Sequence, residues 1–217
     1  MAENGFAEPT LVNRIDALER QGKSVVLLAD DSRPLALFGV ADTVKETSSE
    51  AVADLHRLGV RTIMLTGGNQ HTAEAIAGTV GIDEVRAGLL PEDKLNVIET
   101  FQGKGGTVGL VGDGINDAPA LARADVGFAM GAAGTDTAIE TADVALMDDD
   151  LYPVAIFVQL SRTTSAILKQ NIALALGIKT VFLGLTFTGH ATMWMAVFAD
   201  MGASMLVVAN GLRLLRK

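Results

Sequence analysis

Apolar positions recur along this chain in three rhythms. Leu11, Val12, Ile15 and Leu18 follow a helical spacing that Gly22 stops, which predicts a helix over 11–22. Two strand-like apolar runs follow, SVVLLA at 24–29 and LALFGV at 35–40. The turn-forming residues Asp30, Asp31, Ser32, Arg33 and Pro34 between them predict a hairpin. From 47 onward, helical and strand-like segments alternate. Helices are predicted at 47–58, 71–80, 92–101, 118–122 and 135–141. Strands are predicted at 60–65, 84–87, 107–111, 125–130 and 144–147. Such alternation with short connections predicts an α/β, doubly wound parallel sheet. From Leu151 the rhythm changes: an amphipathic helix at 151–169 precedes two nearly uncharged stretches, 171–189 and 191–212. Each has about the 20 residues needed to span a bilayer.

Charge sharpens that division. Residues 1–160 carry 11 basic against 25 acidic side chains, a net of −14, whereas residues 161–217 carry 6 against 1, a net of +5. The acidic body does not suit nucleic acid, whose phosphates demand Lys and Arg. The basic, apolar tail suits a lipid bilayer. Arg162 and Lys169 precede the apolar pair and Arg213, Arg216 and Lys217 follow it. The positive-inside rule therefore puts both ends in the cytoplasm and the Gly189-His190 turn outside, with Trp194 near that outer end. No cysteine is present, so disulfides and thiolate metal sites are excluded within the chain. Residues 1–8 are polar and acidic, unlike a cleavable signal peptide.

The candidate chemistry centres on Leu110 to Pro119, LVGDGINDAP, where an apolar strand runs into a loop carrying Asp113 and Asp117. Hard carboxylate oxygens suit Mg²⁺ held against a phosphate. Gly112 and Gly114 let the backbone approach a ligand. The same loop would also serve as a turn in which both aspartates cap the next helix. Thr66-Gly67-Gly68-Asn69 follows another strand, placing a hydroxyl at a helix N-terminus, where it can cap the helix or bind a phosphate oxygen. Lys94 falls in the first turn of the helix opened by Pro91, where it opposes the helix dipole at a cost of ~0.3–1 kcal/mol. That position favours a ligand role over a surface one. Asp30 and Asp31 read as turn residues rather than as a nucleophile.

Lys179 and Asp200 interrupt the two apolar stretches. A charge in mid-bilayer costs ~2.5–3.5 kcal/mol on insertion scales and is usually paired and functional. Counted from the helix ends at ~1.5 Å per residue, their depths differ by about 6 Å, within reach of a lysine side chain. They can pair with each other, and Asp200 can alternately ligate a cation.

GDGINDAPAL at 112–121 resembles the hinge signature of P-type ATPases, ion pumps whose phosphorylation domain has the haloacid-dehalogenase fold. MLTGGN at 64–69, GLLPEDK at 88–94 and MGAAGTD at 130–136 resemble three further motifs of that family, in the family's order. NIALALGIK at 171–179 and FADMGASMLVVANGLRLLR at 198–216 resemble the last two membrane helices of the zinc/cadmium/lead-exporting type IB branch. The resemblance implies a chain that is the C-terminal part of such a pump. Residues 1–40 would end the nucleotide-binding insertion, 41–150 would be the phosphorylation domain without its first motif, 151–170 a connecting helix, 171–212 two transmembrane helices and 213–217 a basic cytoplasmic tail. Asp113 would bind Mg²⁺ with Asp117 in support; Asn116, Thr66 and Lys94 would contact the phosphoryl group, and Gly67, Gly112 and Gly114 would line its site. Asp200 would ligate the transported Zn²⁺, Cd²⁺ or Pb²⁺, and Lys179 would be its counter-ion. ATP would be the substrate of the whole pump in the cell membrane.

Three departures accompany the resemblance. The family's phosphorylated aspartate, in DKTGT, is absent. The actuator domain and first six membrane helices are absent too. Gly68 stands where the family usually has aspartate. The chain alone is therefore expected to be inactive. Two other readings remain open: a membrane-tethered phosphatase of the same fold, and a non-catalytic regulatory partner of a complete pump.

Overall fold

The computed structural model describes residues 9–30, 33–40, 44–113, 117–131, 140–190 and 192–216. These fall into two units, 1–155 and 156–217. In the first, α1 (Pro9–Glu19) leads into an antiparallel hairpin, β1 (Ser24–Ala29) and β2 (Pro34–Val40), with Val26 opposite Phe38. Asp30 closes the hairpin turn: its carboxylate accepts from the Arg33 backbone N–H at 2.7 Å. That places Asp30 in the turn role the sequence favoured, while Asp31 and Asp42 lie outside the described residues.

Next come α2 (Glu46–Arg57), β3 (Ile63–Leu65), α3 (Gln70–Val80), β4 (Glu84–Arg86), α4 (Pro91–Gly103), β5 (Gly109–Gly112), α5 (Ala118–Arg123), β6 (Val126–Ala129) and β7 (Val144–Ala145). β3 and β4 pair in parallel, and β5, β6 and β7 form a second parallel group in that order. The ladder is thus in two pieces rather than one, and its strands are shorter than the apolar runs suggested. β3 and β4 contribute only three residues each. The helix expected at 135–141 lies mostly outside the described residues.

The helices begin and end for local reasons. Asn69 caps α3 by accepting from the His71 N–H at 2.8 Å, and Gly81, at φ +89°, ends it in the left-handed region. Pro91 opens α4, and the Asp93 carboxylate three positions past the cap accepts from the Leu90 N–H at 2.9 Å. Ile98 of α4 and Leu121 of α5 are fully buried. Phe128, Leu146 and Val154 form a core cluster, flanked by Val111, Val126, Met130 and Val144.

One device recurs at the amino ends of the parallel strands. Asp83 immediately precedes β4, Asp125 precedes β6 and Asp143 precedes β7. Each accepts from a backbone N–H beside the neighbouring strand: Thr62 at 2.7 Å, Val108 at 2.7 Å and Gly127 at 2.8 Å. The Thr62 backbone and hydroxyl bonds, with His56 at 2.9 Å, hold the Asp83 carboxyl below its ordinary 3.8. The Val108 N–H does the same for Asp125, which lies next to Arg123.

A carboxylate with a depressed folded-state pKa contributes stability that is present above its unfolded value and lost as pH falls through the folded one. Asp83→Asn is therefore expected to lower the urea midpoint at pH 7. The gap to the parent should close as pH falls below 3.8 and through the lowered folded-state value. A gap that widened on acidification would contradict this assignment.

α6 (Tyr152–Phe187) begins in the first unit, runs into the second and is one continuous helix of 36 residues. The amphipathic segment and the first apolar stretch are therefore not separated by a break. Pro153 sits in the first turn, where it is tolerated, and no Gly or Pro occurs again before Gly177. The polar Lys169-Gln170-Asn171 step changes the helix's surface without ending it. Gly189, at φ +73°, turns the chain. Thr192 then caps α7 (Met193–Gly211), its hydroxyl accepting from the Met195 N–H at 3.3 Å. A 3₁₀ segment covers Leu212–Arg216. Both helices are long and apolar enough to cross a membrane, and large apolar side chains such as Leu176, Val181, Trp194 and Phe198 are exposed on them.

Candidate phosphoryl site and its relatives

A contact that no single motif contains joins α4 to the entry of α5. Lys94 Nζ, on α4, lies 2.6 Å from Asp117 Oδ1, at the entry to α5. The two side chains are only 16% and 17% exposed, so water screens their attraction weakly. Asp117 stands at the cap position of α5 but makes no side-chain capping bond. Pairing with Lys94, not capping, is what it does here. The same pairing, with the first-turn acids Glu92 and Asp93, offsets the dipole cost of a lysine at this position.

Gly112 makes that placement possible. A Cβ there would lie 3.0 Å from both Cβ and Oδ2 of Asp117. Any larger residue at 112 would push the carboxylate away. Asp113 follows directly at the carboxyl end of the strand and is exposed. Gly114 and Asn116 lie outside the described residues.

Thr66 is reached through a second set of bonds. Its N–H donates to the Arg86 carbonyl at 3.0 Å and its own carbonyl accepts from the Leu89 N–H at 3.1 Å. The Gly68 carbonyl accepts from the Gly88 N–H at 3.0 Å. The loop after β3 is thereby tied to the segment that leads into α4, and through α4 to Lys94. Thr66 Oγ1 accepts from the Gly68 N–H at 3.0 Å, which fixes the hydroxyl oxygen within the loop. Gly67 packs closely: a Cβ there would lie 3.1 Å from the Leu89 carbonyl oxygen. At Gly68 the added atom would meet only the Thr66 hydroxyl, at 3.3 Å.

Two residues that the sequence reading passed over support this arrangement. Asn69 donates through Nδ2 to Glu19 of α1 at 3.1 Å while its oxygen caps α3. Asp93 fixes the start of Lys94's helix. The second is signalled by a carboxylate three positions past the residue before Pro91, and the cap by an asparagine directly before a helix; the Asn69–Glu19 bond, 50 positions apart, has no local signal. The arrangement has the parts that phosphate chemistry uses: a lysine, two carboxylates, a hydroxyl and close-packed glycine backbone at the carboxyl ends of strands. Lys179 and Asp200 belong to the other unit, on α6 and α7.

The model of the haloacid dehalogenase-like hydrolases matches residues 1–125. The chain belongs to that family. Its curated relatives are heavy-metal P-type ATPases. A probable cadmium-transporting ATPase of Staphylococcus aureus is 51% identical over 94% of this chain and 26% of its own length. The zinc/cadmium/lead-transporting P-type ATPase of Escherichia coli (strain K12) is 45% identical over 94% of this chain and 27% of its own. The crystal structure of a zinc-transporting PIB-type ATPase in the E2·Pi state matches with a TM-score of 0.82 at 43% identity, over 97% of this chain and 34% of that one. The chain thus spans about a quarter to a third of the P-type ATPases it matches. The haloacid-dehalogenase-like domain followed by two apolar helices agrees with the architecture expected from the motifs.

Proposed function

We propose that this chain forms the C-terminal part of a pump that exports Zn²⁺, Cd²⁺ or Pb²⁺ at the expense of ATP. The observation that carries the reading is the weakly exposed Lys94–Asp117 pair, seated against Gly112 at the carboxyl end of β5. Thr66, Lys94 and Asn116 would contact the phosphoryl oxygens. Asp113, supported by Asp117, would hold Mg²⁺; hard carboxylate oxygens set four positions apart on one loop suit that ion. Bound there, the ion supplies charge neutralisation at the phosphoryl oxygens. The residues of this chain position and neutralise. The nucleophilic aspartate belongs to the remainder of the pump, so the chain alone is inactive.

In the membrane part, Asp200 would take the transported cation and Lys179 would replace it electrostatically when it leaves. Both ends of the helix pair would lie in the cytoplasm, at the cell membrane. The 217-residue chain in lipid nanodiscs is expected to bind Cd²⁺, and Asp200→Asn to weaken that binding at least about tenfold, as one charged ligand is lost. Equal Cd²⁺ titrations of the two would refute the metal assignment. An acid-stable phosphoenzyme formed by this chain alone would refute the division of labour.

A further inference from the structure

The two membrane helices are joined by a polar contact near one end. Asn210 of α7 donates through Nδ2 to Asn171 Oδ1 of α6 at 2.9 Å, and to Gln170 Oε1 at 3.4 Å. Its own Oδ1 accepts from Arg213 at 3.0 Å. The Asn210 amide is therefore satisfied at both ends by three residues from two sides. Amides between otherwise apolar helices select one register, because a shift leaves polar groups without partners where no water replaces them.

We propose that the Asn171–Asn210 contact is a register clasp that positions Lys179 and Asp200 relative to one another. The proposal rests on the metal reading given above for that pair. Lys179 stands eight residues from Asn171, and Asp200 ten residues from Asn210. At ~1.5 Å per residue, the two lie about 12 Å and about 15 Å from the clasp, nearly the same depth. At ~100° per residue, Lys179 is turned about 80° from the clasp line on α6. Asp200 is turned about 80° in the opposite sense on α7. Since the helices run antiparallel, both side chains emerge on the same flank of the pair.

Burial follows the same geometry. The less exposed positions form one stripe on each helix: Ala175, Ile178 and Phe182 on α6, and Ala199, Ala203 and Val207 on α7. Ala203 is the buried residue of α7. It stands seven residues from Asn210, as Ile178 stands seven from Asn171. Lys179 and Asp200 are exposed beside these stripes, and no ion pair seen among the described residues joins them. A slip of one residue would turn Asp200 about 100° away from that flank. Asn171 and Asn210 are thus positioning residues; they do not touch the cation themselves.

The chain has no cysteine, so disulfide trapping has no background. In nanodiscs, the pair Ile178→Cys with Ala203→Cys is expected to cross-link rapidly. Adding Asn210→Leu should slow it at least tenfold and shift cross-linking to Ala199→Cys or Val207→Cys, with helicity by circular dichroism unchanged. Cd²⁺ affinity, measured without the cysteines, should fall about tenfold. Asn210→Asp, which can accept from both the Asn171 amide and Arg213, should restore both readings. Asn171→Ala should repeat the effects of Asn210→Leu from the other helix. Unchanged cross-linking in both Asn210→Leu and Asn171→Ala overturns the clasp. Shifted cross-linking with unchanged Cd²⁺ affinity overturns its positioning role, provided Asp200→Asn weakens binding. If Asp200→Asn has no effect while the cross-link shifts, the metal reading fails and the clasp stands.

Discussion

Lys94→Met, placed in a pump completed with the N-terminal part of a relative, is expected to lower metal-stimulated ATP turnover by about 10²–10³-fold, the usual effect of losing one preorganised charge at a reacting centre. Methionine keeps an unbranched stem of similar length and loses the ammonium. The loss is large because Lys94 is held, not merely present. Pro91 and Asp93 set the start of its helix, and Asp117 fixes its Nζ at 2.6 Å. A positioned cation needs no rearrangement when negative charge develops beside it. The variant also strands Asp117, whose side chain is mostly withdrawn from water. A double variant, Lys94→Met with Asp117→Asn, should recover stability without recovering turnover. Turnover within tenfold of the parent for Lys94→Met would remove Lys94 from the machinery.

Phe128→Ala is expected to destabilise the first unit by ~3–5 kcal/mol, the range for removing a buried aromatic ring. Folded domains hold only about 5–15 kcal/mol in total. Phe128 is 3% exposed and packs with Leu146 and Val154, the latter in the first turn of α6. Val111, in the strand that ends at Gly112 and Asp113, flanks the same cluster. The cavity would therefore open beneath the candidate site as well as within the core. Pulse proteolysis across a urea series would read the change; a shift below about 1 kcal/mol would mean the cluster collapses onto the gap.

Much of this architecture is legible in the sequence because its punctuation is local. Gly22, Gly59 and Gly81 stop helices or follow their ends, and Pro91 opens one. The alternation of apolar runs after residue 47 yields the strands and helices in their correct order. What is not local is not legible. The pairing of Lys94 with Asp117 joins residues 23 positions apart, and nothing near either residue in the sequence points to the other. The continuity of α6 was hidden by a change of surface chemistry at Lys169-Gln170-Asn171, which altered the pattern while leaving the backbone preference for helix intact. The division between structural and chemical aspartates is also invisible in composition. Asp83, Asp125 and Asp143 sit one position before a strand, whereas Asp113 sits just after one. The first three are engaged by backbone; Asp113 stands where parallel strands present ligand-binding groups.

The strand-entry aspartates also make substitution tolerance one-sided. The donor at Val108 is a peptide N–H, which every residue except proline supplies, whereas Thr62 adds its hydroxyl, which donates to the Asp83 carboxylate at 2.9 Å. The acceptor can come only from the aspartate's own short side chain. In a saturation scan, position 108 should accept diverse residues but reject proline and position 62 should favour threonine or serine, while 83 and 125 should reject even glutamate, whose extra methylene displaces the carboxylate. The Val108–Asp125 bond would leave no trace in residue covariation, because only one of its two ends is written in the side chains.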